Sequence, residues 1–174
     1  MQPVRDGGGL PHVHAWHAPS QRMLMAWCSL VLVLGVCTGY AAMRKLSLEE
    51  LARKADMIVL GTVTQQESAW DDQQTAIYST VTVAVERVLV GQAAEVVTLQ
   101  VAGGIVGRMG MRTSNDATFR KGERVIVFLD TRAVPSTVVG MQQGKFTVKG
   151  DMVTGTDERW SLNDFIAAVR AAAR

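Results

Sequence analysis

Residues 101–130, VAGGIVGRMGMRTSNDATFRKGERVIVFLD, hold the residue types best placed to do chemistry. Gly103, Gly104, Gly107 and Gly110 stand close to Arg108, Arg112, Arg120, Lys121 and Arg124, against Asp116 and Glu123. Backbone amides of a glycine-rich turn beside basic side chains can cradle a phosphate, so a nucleotide loop is the first chemistry to test. It fails on context. A polar stretch and a strand-like run follow the glycines, where a dinucleotide fingerprint needs a helix. No Gly-Lys-Ser/Thr occurs, and GMQQGKF, from Gly140, has Phe146 where a hydroxyl is required. The chemistry left to this stretch is recognition. Arg108, Met109, Met111, Arg112, Arg120 and Lys121 combine local positive charge with adaptable thioether contacts, suited to an acidic protein or glycan. Long loops in compact domains carry function more often than their length alone would suggest.

Other constellations give less. His12, His14 and His17 have metal-ligand spacing, but they precede an uncharged apolar segment and would leave with it. No histidine follows residue 17, which removes every histidine-dependent triad, dyad and zinc site from the rest of the chain. Asp71-Asp72 sits in a turn sequence, and Asp157-Glu158 precedes a helical segment, where acidic charge is ordinary. No serine lies in a G-x-S-x-G elbow. The expectation is therefore no catalytic residue, no metal and no cofactor. The net charge of +2 argues against nucleic acid as a partner.

The uncharged segment is MLMAWCSLVLVLGVCTGYAAM, residues 23–43. Its densest apolar part, Met23 to Val36, has the length of a signal-peptide h-region, and the small residues around Ala41 and Ala42 suit cleavage. An uncleaved anchor is the competing reading, because the whole run is just long enough to cross a bilayer. Residues 1–42 are thus expected to be a signal peptide with an upstream extension, and residues 43–174 a single exported domain. Both cysteines, Cys28 and Cys37, fall in the apolar segment, so the domain must be stabilised by a conventional core. About 130 residues remain to build one.

The remaining pattern is that of a β protein. LSLEELARKAD, residues 46–56, predicts a short helix with a capping box at Ser47 and Glu50. MIVLGTVTQQESAW predicts a strand bent at Gly61, and DDQQ a turn. AIYSTVTVAVERVLVG alternates at Val81, Val83 and Val85, then slips phase, which predicts a bulge near Glu86 and Arg87. EVVTLQVAG is a third strand. RVIVFLD is apolar at five consecutive positions, so both of its faces should be covered. STVVGM and KFTVKG give a fifth and a possible sixth strand, and Gly150-Asp151 turns into a short MVTG strand. SLNDFIAAVRAAAR predicts a closing helix capped by Ser161, with Leu162, Phe165, Ile166 and Val169 on its apolar face. Trp70 and Trp160 flank turns and are expected to cover the barrel ends.

Strands in succession with a helix at each end exclude a parallel α/β sheet and favour a small closed barrel. ADMIVLGTV and FRKGERVIVFL, at residues 55–63 and 119–129, resemble the strand motifs of netrin-like and tissue-inhibitor-of-metalloproteinase domains, and exported bacterial proteins that resemble the same arrangement share a QGKF like that at residues 143–146. The resemblance implies an OB-like barrel of five to six strands with flanking helices. It transfers no functional residue, because those inhibitors act through an N-terminal cysteine that this domain lacks. The expected function is a non-catalytic interaction module binding a protein or glycan of the cell envelope, in contact with a membrane only through an uncleaved signal segment. The alternative is a cysteine-free inhibitor of a secreted protease; a hydrolase using carboxylates alone is a third class. Residues 102–122 are expected to form a mobile loop carrying the partner surface.

Processing is open to direct measurement. The intact mass of the exported chain should correspond to a start near Ala42 or Met43, and a full-length species held in the membrane would establish the anchor instead.

Overall fold

The structure, a computed structural model, describes residues 44–156 and 158–173. The apolar segment, the small residues expected to be cleaved, the three histidines and both cysteines lie outside these residues. The chain forms, in order, α1 (Leu48–Lys54), β1 (Met57–Trp70), β2 (Ile77–Val90), β3 (Val96–Ala102), β4 (Gly104–Val106), β5 (Met109–Met111), β6 (Arg124–Asp130), β7 (Ser136–Val138), a single 3₁₀ turn (Met141–Gly144), β8 (Lys145–Lys149), β9 (Met152–Thr154), β10 (Arg159–Ser161) and α2 (Leu162–Ala172).

The strands β1-β2-β3-β7-β6 are hydrogen-bonded in that order, and β6 returns to β1, which closes a five-stranded barrel. All ring pairings are antiparallel except β3 with β7, which is parallel. This is the topology of an OB-like barrel, as the sequence predicts. From β6 the sheet also runs outward through β8, β9 and β10. The closing strand β7 is short, with Leu99↔Ser136 and Gln100↔Thr137 on one side and Leu129↔Val138 and Asp130↔Thr137 on the other.

Two cores result. Val59, Val63, Val81, Val83, Leu99, Val125, Val127 and Leu129 fill the barrel interior. Ile58, Leu60, Ile126 and Phe128 point the opposite way and pack beneath both helices, together with Phe146, Val153, Phe165 and Val169. The alternation of side chains along β1 and β6 therefore feeds one core with odd positions and the other with even ones. All five residues from Val125 to Leu129 are fully buried, which explains their unbroken apolar run. In the outer core Phe146 lies 4.6 Å from Phe165, and Phe128 lies 5.5 Å from Phe146, both in tilted contact.

Local chemistry sets the ends and bends. Ser47 Oγ accepts from the Glu50 amide, and Glu50 Oε2 accepts from the Ser47 amide, completing the capping box. Ser161 caps α2 by accepting from the Asp164 amide at 3.2 Å. The β1–β2 register pairs Leu60 with Arg87 and Gly61 with Val85, so Glu86 is the extra residue of a bulge. Past it Leu89 turns into the outer core instead of the barrel. The bulge is tied down by its own side chain: Glu86 Oε2 accepts from Arg124 Nε at 2.8 Å, and Oε1 from Thr62 Oγ1 at 2.8 Å. Gly61 is required opposite it, because a Cβ there would lie 2.3 Å from the Ala84 carbonyl oxygen. The Asp71 carboxylate closes the β1–β2 turn by accepting from the Thr75 amide and hydroxyl. One expectation is corrected. Trp160 does not cover a barrel end but packs edge-on against Phe165 in the outer core.

Urea denaturation should separate these roles. Val127→Ala and Leu129→Ala, each opening a cavity in the barrel, should cost about 2–4 kcal/mol. Gly61→Ala should cost about 1–3 kcal/mol through forced separation of β1 and β2.

Candidate functional site

The glycine-rich stretch is ordered by close packing. After β3 the chain reverses through Gly103 at φ +94° and Gly104 at φ +148°. A Cβ on Gly104 would lie 2.3 Å from Ser68 Oγ and 2.5 Å from Ser79 Oγ, and one on Gly103 would lie 2.9 Å from the Met111 carbonyl oxygen. Only glycine fits this approach. β4 then pairs with β5 across Gly107-Arg108, with Gly107 at φ +60° as a tight primed turn needs. The expectation of a mobile loop is thus overturned: Gly103 and Gly104 allow contacts that a side chain would block, and the result is a hairpin.

A polar link holds the hairpin to the barrel. Ser68 and Ser79 face each other across β1 and β2 with their hydroxyls 2.8 Å apart. Ser79 Oγ donates to the Gly103 carbonyl at 2.7 Å, so the proton between the two hydroxyls comes from Ser68. Ser79 is 1% exposed and is the fully buried polar side chain among the described residues. Its odd-numbered place in the alternation of β2 points it inward with Val81 and Val83. A serine in that phase was the legible sign of this link, and it was missed.

Beyond β5 the chain is again tied to the core. Ala117 and Phe119 are buried in the barrel interior, Thr113 Oγ1 donates to Asp116 Oδ2 at 2.6 Å, and the Gln142 amide donates to the Asn115 carbonyl. The expectation of a mobile loop over residues 102–122 is corrected here as well: Ala117 and Phe119 belong to the core. Between the hairpin and residues 112–120 lies a groove of about 530 Å³, lined by Ser68, Ile105, Gly110, Met111, Arg112 and Arg120. It adjoins a recess of about 310 Å³ along the seam between β3 and β7, where Tyr78 and Met141 stand.

The wall behind Phe119 is fixed by an ion pair. Lys145 Nζ lies 2.7 Å from Glu123 Oε1, 2.6 Å from the Thr118 carbonyl and 5.0 Å from the Phe119 ring centre. Glu123 Oε1 also accepts from Thr147 Oγ1, and Oε2 accepts from the Arg120 amide. Burial alone would push the Glu123 carboxyl up, but Lys145, Thr147 and the Arg120 amide together hold it below the ordinary glutamate range. Gln143 accepts from the Leu46 amide at 2.7 Å, and a Cβ on Gly144 would lie 2.1 Å from the Val139 carbonyl oxygen. The residues of FRKGE and QGKF are therefore assembly points of the barrel.

The six candidate binding residues divide. Met111, Arg112 and Arg120 line one groove. Arg108 and Met109 stand exposed at the hairpin tip, and Lys121 sits in the turn before β6, outside the groove lining. Ile105, 73% exposed on the hairpin, was missed, as were Tyr78 and Met141. Nothing in a single hydrophobic residue next to two glycines signals exposure. Among the described residues no group of His, Cys, Asp or Glu is arranged to hold a metal, and no helix is long and apolar enough to cross a membrane. Among the described residues the Ser68 hydroxyl donates to Ser79 Oγ. No protein-family model matches the chain, and no curated protein is significantly similar to it.

Two measurements follow. Glu123→Gln should destabilise the fold by about 2 kcal/mol, because Lys145 loses its charged partner in a partly buried site. Because the folded Glu123 is depressed, its contribution is complete above the unfolded value and is lost as pH falls through the folded one. Wild-type stability should therefore decline below about pH 4, and this acid-side loss should be smaller in the variant. Arg108→Ala with Met109→Ala should change stability by only about 0.5 kcal/mol, whereas Phe119→Ala should cost about 3 kcal/mol or more.

Proposed function

We propose that this protein is an exported, non-catalytic interaction module of the cell envelope, and that its docking surface is the β4–β5 hairpin with the adjoining groove. One observation carries the reading. Ile105 and Met109 are 73% and 60% exposed on a hairpin held in place by Gly103, Gly104 and the Ser68–Ser79 link. Apolar side chains held out on a fixed support gain nothing for folding, and they suit a partner that covers them. Arg112 and Arg120 beside them add a charged rim. The likeness of the strand motifs to netrin-like and metalloproteinase-inhibitor domains agrees with an extracellular binding role but supplies no mechanism.

Inhibition of a secreted protease is the second reading. It draws on Arg108, which stands exposed at the tip of the same hairpin and is accessible to a trypsin-like pocket.

A photo-reactive residue in place of Met109 should give a discrete adduct in intact cells, and one in place of Lys54 should not. Ile105→Asp should abolish the adduct while leaving the melting temperature within a few degrees. Equal labelling from both positions would remove the docking surface. Stoichiometric inhibition of a secreted protease, lost in Arg108→Ala, would favour the second reading.

A further inference from the structure

The geometry points to an acidic, extended peptide segment as the ligand of this groove, bound by adding a strand to the open edge of β5 at Gly110. This rests on the docking surface proposed above. The two-residue turn makes Val106 and Met109 the hydrogen-bonded closing pair, and Gly104 and Met111 the next such pair. Ile105 and Gly110, between them, form a non-hydrogen-bonded pair, so the Gly110 N–H and C=O point away from β4. Neither has another backbone partner among the described residues. Gly110 lines the groove and is absent from the left-handed glycines, so its backbone does not need glycine. A Cβ there would touch nothing closer than 3.8 Å. What remains is an open strand edge with an unpaired donor and acceptor, the condition for main-chain pairing with an extended segment.

Charge selects among such segments. Arg112 and Arg120 line the same groove, and neither side chain has an ion-pair partner among the described residues. Asp116, the one lining carboxylate among the described residues, already accepts from Thr113. The exposed Met109, on the face of β5 opposite Gly110, matches apolar side chains alternating with the acidic ones. A sulfated glycan would satisfy the arginines, but it has neither the backbone groups to pair with Gly110 nor apolar side chains to cover Met109.

The test uses ¹⁵N-labelled protein purified as exported, with an acetylated hexapeptide alternating valine and glutamate as probe. The peptide should shift the Gly110 and Met111 amides and slow exchange at the Gly110 N–H. Arg112→Ala and Arg120→Ala should each weaken binding about fivefold. Gly110→Ala should retain binding, whereas Gly110→Pro, which lacks the donor, should lose it with the fold intact by the remaining amide spectrum. Equal binding of the glutamine or lysine peptide overturns the charge assignment. Binding of heparin without protection of Gly110, or no perturbation by the acidic peptide at millimolar concentration, overturns strand addition. If the Met109 adduct persists while the peptide leaves Gly110 unperturbed, the docking surface stands and this ligand class falls. Loss of the adduct as well removes the docking surface itself.

Discussion

The fold depends on one strand being covered on both faces. β6 places Val125, Val127 and Leu129 in the barrel and Ile126 and Phe128 under the helices, so neither core forms without it. It is also the strand with the most neighbours: β1 on one side, β7 and β8 on the other. Burial of a full apolar strand from both sides is the strongest driving force available to a cysteine-free domain of this size. The helices follow from it. α1 and α2 cover the outer face of β1 and β6, and the phenylalanines of β6, β8 and α2 meet there.

The bulge and the ion pair are the devices that let one strand serve two cores. Continued alternation would leave Leu89 inside a barrel already filled. The extra residue Glu86 turns it outward, and the same side chain then ties β2 to β6 through Arg124. At the other edge Lys145 joins β8 to the segment before β6, which keeps Phe119 in the barrel. The hairpin of β4 and β5 is outside this scheme. It contributes no residue to either core and is held by two serines and two glycines. A feature built with such specific contacts yet not needed by the cores is where a binding role fits best.

Much of the architecture was legible because it rests on short-range chemistry. The capping box at Ser47, the cap at Ser161, the phase slip before Val88 and the unbroken run at Val125–Leu129 are each determined by residues within a few positions of one another. The groove was legible only in part. Arg112, Met111 and Arg120 were singled out by type, but Arg108 and Lys121, of the same types, lie elsewhere. Glycines 103 and 104 were read as conformational freedom. They permit a close approach to Ser68, which is distant in sequence, and no local pattern encodes that distance.

By itself the sequence determined both helices and the long strands β1, β2, β3 and β6, that the domain has no cysteine or histidine to use, and that one strand must be buried on both sides. These follow from alternation, capping and composition, which are local or additive. Only the tertiary structure decided that Phe119 is core and Ile105 is not, that FRKGE and QGKF meet to build a wall, and that the Gly110 edge is left open beside two arginines. Each of these depends on which distant segments come within a few ångströms, and that is set by closure of the barrel, which no window of sequence contains.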